Sequence, residues 1–94
     1  MPFLLIRHKV KDYARWKPRF DEHAETRKAS GSKSARLFRS AANPNEIVAL
    51  FEWDNLELAQ RFSQSENLRA VMQESGVAEP PDIFLLDDVE TFPA

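Results

Sequence analysis

From Phe3 to Val10, apolar and polar residues alternate weakly along the chain. Leu4, Ile6, His8 and Val10 fall on one side of an extended segment, and Phe3, Leu5, Arg7 and Lys9 on the other. That is the period of two a β-strand requires. After Asp12 the period lengthens. Tyr13, Trp16, Phe20, His23, Ala24 and Arg27 recur at three- and four-residue spacing, the stripe of an amphipathic helix. Asp12 is a suitable N-cap, and Gly31 supplies the left-handed C-terminal position. Deep in a helix, Pro18 would clash with the carbonyl of Ala14. The spacing therefore predicts an irregular first turn over Tyr13–Trp16 and a regular helix from Lys17 to about Ser30.

Further on, Ala35–Ser40 reads as a short strand near a sheet edge, because Arg36 and Arg39 interrupt its apolar character. Ala42-Asn43-Pro44-Asn45 is a turn cluster. Glu46–Trp53 is apolar on both parities, the mark of a strand covered on both faces. Asp54 or Asn55 caps a second helical region whose apolar face begins with Leu56, Ala59 and Phe62 and continues with Leu68, Val71 and Met72. Ser63 and Glu66 have capping-box spacing, so this region is expected to break and restart near Ser65 and to end at Gly76. Pro80-Pro81 stiffens the connector to a last strand over Ile83–Val89.

The order βαββαβ implies an α+β, ferredoxin-like fold: a four-stranded antiparallel sheet with both helices on one face. The other face would then be bare, carrying Phe3, Leu5 and half of the apolar residues of Glu46–Trp53. An apolar face of that extent is an association surface, and a twofold homodimer is the simplest way to close it. Composition points the same way. The 94 residues suffice for one small domain, spanning 1–94, whose stability is marginal without help. Cysteine is absent, so neither disulfides nor thiolate metal sites contribute.

No stretch approaches the roughly 18 apolar residues of a membrane span, and the start lacks a signal peptide's basic and long apolar regions. The expectation is a soluble, cytoplasmic protein that does not associate with membranes. Net charge is −2, yet residues 1–40 hold 11 Lys/Arg against 4 Asp/Glu and residues 41–94 hold 2 against 11. The basic residues are scattered rather than clustered, so the halves are expected to interleave and cancel rather than to bind nucleic acid. RNA-recognition domains share the βαββαβ order. Their third strand needs a Lys/Arg-Gly-aromatic pattern, and Glu46–Trp53 has acidic ends and no glycine.

Candidate chemistry concentrates on the first helix. His23 shares its stripe with Trp16 and Phe20 and is placed to act as a general base on a phenolic or enolic substrate. The competing reading is a boundary histidine bonded to a carbonyl or carboxylate. His8 lies on the strand face expected under the helices, where it can approach His23. Two imidazoles without a third ligand at suitable spacing do not make a metal site. Arg27 and Arg36 offer fixed positive charge to an anionic substrate, or pair with carboxylates. Asp87, Asp88 and Glu90 are natural neighbours for Arg7 and Lys9 if the first and last strands pair. Phe51 and Trp53 read as core. With two glycines in all, no phosphate-binding loop is present, nor is there a serine nucleophile elbow.

Three runs carry a family likeness: His8-Lys9-Val10-x-Asp12-Tyr13-x-x-Trp16-Lys17-Pro18-x-Phe20-Asp21-x-His23, then Asn43-Pro44-Asn45-Glu46 with Glu52-Trp53-Asp54, then Gly76-Val77-x-x-Pro80-Pro81. From about Phe3 to Glu90 the chain resembles small bacterial proteins of the antibiotic biosynthesis monooxygenase-like group, in a subgroup of mostly unassigned activity. The resemblance implies a dimeric α+β barrel with a ligand pocket between sheet and helices of each subunit. It also implies kinship with cofactor-independent quinone-forming oxygenases, haem-degrading enzymes, lactone isomerases and polyketide cyclases. The haem-degrading pattern is not matched, since the second helical region lacks its histidine and the first strand its asparagine. The expected function is thus a homodimeric small-molecule-binding protein, cofactor-free, working as a monooxygenase or cyclase on an aromatic or polyketide-like compound. His23 and His8 are its candidate catalytic residues, and Tyr13, Trp16, Phe20 and Arg27 its substrate-binding ones. The alternative is a non-catalytic dimeric module.

Overall fold

In the computed structural model, which describes residues 2–74 and 81–93, the alternating segments become strands β1 (Phe3–Lys9), β2 (Ser32–Arg39), β3 (Glu46–Trp53) and β4 (Asp82–Leu86). They form one antiparallel sheet in the order β2-β3-β1-β4. The helices are α1 (Tyr13–Glu22), α2 (Ala24–Ser30), α3 (Leu56–Ser63) and α4 (Glu66–Glu74). The architecture is the expected ferredoxin-like α+β fold. The expectations for Gly76 and Pro80, and the side chain of Val71, lie outside what is described.

Local chemistry sets most boundaries. Asp12 caps α1, its Oδ1 accepting from Ala14 N–H at 3.0 Å, and Asn55 rather than Asp54 caps α3 through Leu58 N–H at 2.9 Å. The break before α4 falls where expected, but its cap is Ser65, whose Oγ accepts from Leu68 N–H at 3.1 Å. Ser63 instead donates to the carbonyl of Gln60. The first helix differs more. Tyr13–Glu22 is helical with Pro18 inside it, and the interruption comes at His23. Ala14, whose carbonyl loses its partner to Pro18, is exposed, which keeps the cost of the missing bond small. Gly31 closes α2 at φ 115°, and a Cβ there would stand 2.8 Å from Leu58 Cδ1.

Register places Leu4, Ile6 and His8 of β1 beside Phe51, Ala49 and Ile47 of β3. All six are buried and face the helices. One cluster joins Leu4, Ile6, Ala49, Phe51 and Trp53 to Ala59 and Phe62 of α3 and Leu68 of α4. A smaller one joins Val10 and Ile47 to Trp16. The opposite face carries Phe3, Leu5, Val48 and Leu50, half-buried, and the exposed Phe38, Phe84 and Leu86. β3 is therefore covered on one face only within a single chain.

The charged halves do interlock, through Arg7–Asp82 at 2.7 Å and Lys33–Asp54 at 3.1 Å. Arg7 finds Asp82 rather than Asp87, Asp88 or Glu90, because the antiparallel register sets Arg7 opposite Asp82 and Phe3 opposite Leu86. Cancellation is incomplete. Basic β2, with Lys33, Arg36 and Arg39, forms one edge of the sheet, and β4 with its acidic continuation forms the other. Among the described residues, no helix is long and apolar enough to cross a membrane.

Candidate functional site

Four elements bring the candidate residues together. β1 delivers His8 to the helix-facing side of the sheet, α1 delivers Trp16 and Phe20 one turn apart, and His23 and Arg27 follow from the α1–α2 junction and α2. The Trp16 ring meets His8 edge-on at a centroid distance of 5.4 Å and lies 5.0 Å from Phe20, which in turn is 6.1 Å from Phe51. His23 packs 5.8 Å from Phe62, and Phe62 lies 5.0 Å from Trp53. The bend at His23 matters here. It turns the stripe, so that a residue at the expected edge of the helix is buried instead.

These side chains border a small, partly open cavity of about 40 Å³ lined by Ile6, His8, Trp16, Phe20, His23, Arg27, Ala49, Phe51, Phe62, Leu68 and Met72. His8 and His23 share it. Tyr13 does not line it; the phenol ring stands behind Trp16 at 5.9 Å, with the Arg39 guanidinium 4.6 Å from its centroid. Its backbone N–H is held at 3.0 Å by Asn45 Oδ1. Arg36 lies on the far face of the sheet over Phe38. Phe51, Phe62, Leu68 and Met72 read as core in the sequence, and nothing in their spacing separates core from cavity wall.

Two polar groups in the cavity are unusual. Both ring nitrogens of His8 are buried without a hydrogen-bond partner among the described residues, a state that costs about 1–3 kcal/mol per group. Burial holds its pKa down at about 4, so the imidazole is neutral at pH 7 and offers one N–H donor and one acceptor. Arg27 is equally buried. Its Nη1 donates to the carbonyl of Phe20 at 2.9 Å, and the guanidinium carbon lies 4.0 Å and 5.5 Å from the Phe20 and Phe51 centroids. Burial lowers its pKa and Asp21 opposes that shift. Arg27 also borders a second, open groove of about 440 Å³ that includes Lys28, Lys33 and Asp54. No group of three or more His, Asp or Glu suited to a metal ion occurs among the described residues.

The arrangement brings two imidazoles and a guanidinium together with four aromatic rings around one small cavity. The profile of the antibiotic biosynthesis monooxygenase family matches residues 6–74, a stretch that contains every cavity residue. No curated protein matches the chain. Among solved structures it is similar to a family-assigned protein of Bordetella bronchiseptica, with 17% identity, a TM-score of 0.79, and 95% of this chain and 97% of that one covered. It is similar to SnoaB, a cofactor-independent oxygenase of Streptomyces nogalater, with 15% identity, a TM-score of 0.78, and 99% and 97% covered. A family-assigned protein of Caulobacter crescentus shares 21% identity with a TM-score of 0.73, 95% and 90% being covered. At such identities the likeness concerns the fold.

Proposed function

Because the chain belongs to the antibiotic biosynthesis monooxygenase family, we propose that it binds a small aromatic or polyketide-like compound between helices and sheet and acts on it as a cofactor-free oxygenase or cyclase. The observation that carries this reading is the convergence of two buried histidines, a buried arginine and four aromatic rings on one cavity. His23 is the proposed base for a phenolic or enolic proton, His8 and Arg27 are the polar anchors, and Trp16 and Phe20 are the walls. With dioxygen as co-substrate the balance closes without a reductant: a ring-flanked methylene becomes a carbonyl, one oxygen atom enters the product and the other leaves as water.

The alternative, a non-catalytic module, draws on the cavity's size. About 40 Å³ holds a water molecule or a diatomic, whereas ligand sites usually exceed about 300 Å³. A ring therefore requires side chains to give way. Half-buried Met72 is the most adaptable of the lining residues, being unbranched. A panel of phenols, quinones and ring-flanked methylene compounds separates the two readings. Ligand binding is expected to raise the melting temperature, with dioxygen uptake and carbonyl product for the methylene compounds, and His23→Ala is expected to lose the turnover. If no compound shifts the melting curve, the non-catalytic reading stands in its place.

Both readings include a homodimer in the cytoplasm. The apolar face bearing Phe3, Leu5, Phe38, Phe84 and Leu86 supports a second copy stacked sheet on sheet. Charge chooses between the two twofold arrangements. An axis parallel to the strands sets the basic β2 edge over the partner's acidic β4 edge, while an axis across them opposes like charges. Leu5→Glu, which buries a carboxylate at the centre of that face, is expected to give monomers at micromolar concentration in sedimentation equilibrium. A wild-type monomer under the same conditions would remove the dimer.

A further inference from the structure

A ring-sized compound does not fit in about 40 Å³, and one wall of the cavity has space behind it. Phe62 lines the cavity and also an open groove of about 320 Å³, between Thr26, Ala29 and Ser30 of α2 and Leu58 and Arg61 of α3. No other described residue borders both. The Phe62 ring thus stands as a partition. On one side are the two histidines and the aromatic shell, and on the other is a hollow as large as an ordinary small-molecule site.

The remaining aromatic walls have nowhere to go. Trp16 is wedged among the rings of His8, Tyr13 and Phe20, and Phe20 is covered by the Arg27 guanidinium at 4.0 Å. Phe51 belongs to the interior of β3. Phe62 instead meets Trp53 at 5.0 Å and His23 at 5.8 Å, with the groove at its back. Its main chain is fixed, because Ser65 donates to its carbonyl from the N–H at 3.1 Å and the hydroxyl at 2.9 Å. Opening therefore falls to a change of side-chain rotamer. Met72 flexes in place, whereas Phe62 opens onto further volume.

The groove differs from the cavity in chemistry. Ala29 and Leu58 supply apolar surface, Ser30 donates its hydroxyl to the Thr26 carbonyl at 2.8 Å, and Arg61 is paired with Glu57 at 2.6 Å. No imidazole or carboxylate lines it. It offers contact and hydrogen bonds without a base, the character of a subsite for the unreactive end of a ligand, where binding energy is gained away from the reacting atoms.

We propose that Phe62 sets the length of ligand the protein accepts: with its ring turned aside, cavity and groove form one site, the reacting ring lying beside the histidines and the far end of the molecule lying between α2 and α3. The inference rests on the ligand-binding reading of the cavity. It adds the second half of the site and the residue that divides the two.

The probes are phenol, which has one ring, and 2,6-dihydroxynaphthalene, which carries a second ring and a distal hydroxyl. The readout is the ratio of their Kd values by calorimetry, which cancels effects common to both. Ala29 is exposed, so Ala29→Trp fills the groove without disturbing the core. It is expected to shift the ratio about tenfold against the naphthalene, the worth of roughly two buried ring carbons. Phe62→Leu, which thins the partition, should shift it the other way. Should Phe62→Leu not fold, Ala29→Trp decides alone. A ratio that Ala29→Trp leaves unchanged overturns the role of Phe62 and the groove while the ligand-binding reading stands. Failure of both probes to bind wild type at millimolar concentration removes both.

Discussion

Trp16→Ala is expected to destabilise the fold by about 3–5 kcal/mol, the range for deleting a large buried aromatic side chain. Trp16 is 3% exposed. It belongs to the cluster with Val10 and Ile47 and contacts the rings of His8, Tyr13 and Phe20. Its removal opens a hole between β1 and α1 that the sheet backbone cannot collapse to fill. Urea unfolding followed by far-ultraviolet circular dichroism measures the loss, and Trp16→Phe should recover more than half of it. A second consequence follows at His8. With the indole gone, water reaches the imidazole and its pKa should rise toward 6.5, which NMR titration of the ring reports. A cost below about 1 kcal/mol would mean that the neighbouring rings hold the site without Trp16.

His8 also makes stability depend on pH. Its pKa is lowered from 6.5 in the unfolded chain to about 4 in the fold, so between those values the unfolded state binds the extra proton. Stability is therefore fully present above about pH 6.5, falls as pH drops toward 4, and gains no further penalty from this group below that. The span corresponds to about 3 kcal/mol. Carboxylates titrate over part of the same range, so the useful measurement is a difference. The unfolding free energy of wild type minus that of His8→Gln should change by about 3 kcal/mol between pH 7 and pH 4. A difference that stays flat would show the imidazole to be hydrated in the native state.

The fold was legible because its signals are local. The period-two runs at Phe3–Val10 and Glu46–Trp53, the caps at Asp12 and Asn55, and the left-handed Gly31 each act within a few residues. The break in the first helix was legible only in part. Pro18 announced an irregularity, but its effect is absorbed at an exposed carbonyl, and the chain bends at His23 instead. The cap of α4 slipped by two residues because Ser63 and Ser65 both flank the break, and only the Ser65 oxygen accepts from Leu68 N–H. The cavity was legible on the helix side, from the unusual stripe of Trp16, Phe20, His23 and Arg27. It was illegible on the side of α3 and α4, since Phe62, Leu68 and Met72 carry the spacing of any packed face. Tyr13 shows the limit of such stripes. It shares the spacing of Trp16, yet Asn45 fixes the start of the helix so that the phenol faces Arg39.

Asn45 ties the first strand and the first helix to the β2–β3 turn. Its Oδ1 accepts from Tyr13 N–H at 3.0 Å and its main-chain carbonyl accepts from Val10 N–H at 2.8 Å, so one residue in the β2–β3 turn holds the end of β1 and the start of α1. A ten-residue helix is too short to persist alone in water, and this clamp exists only once a hairpin more than thirty residues downstream has closed. His8, His23 and Arg27 share their cavity with Phe51 of β3 and with Phe62, Leu68 and Met72 of α3 and α4, so its walls come from nearly the whole length of the chain.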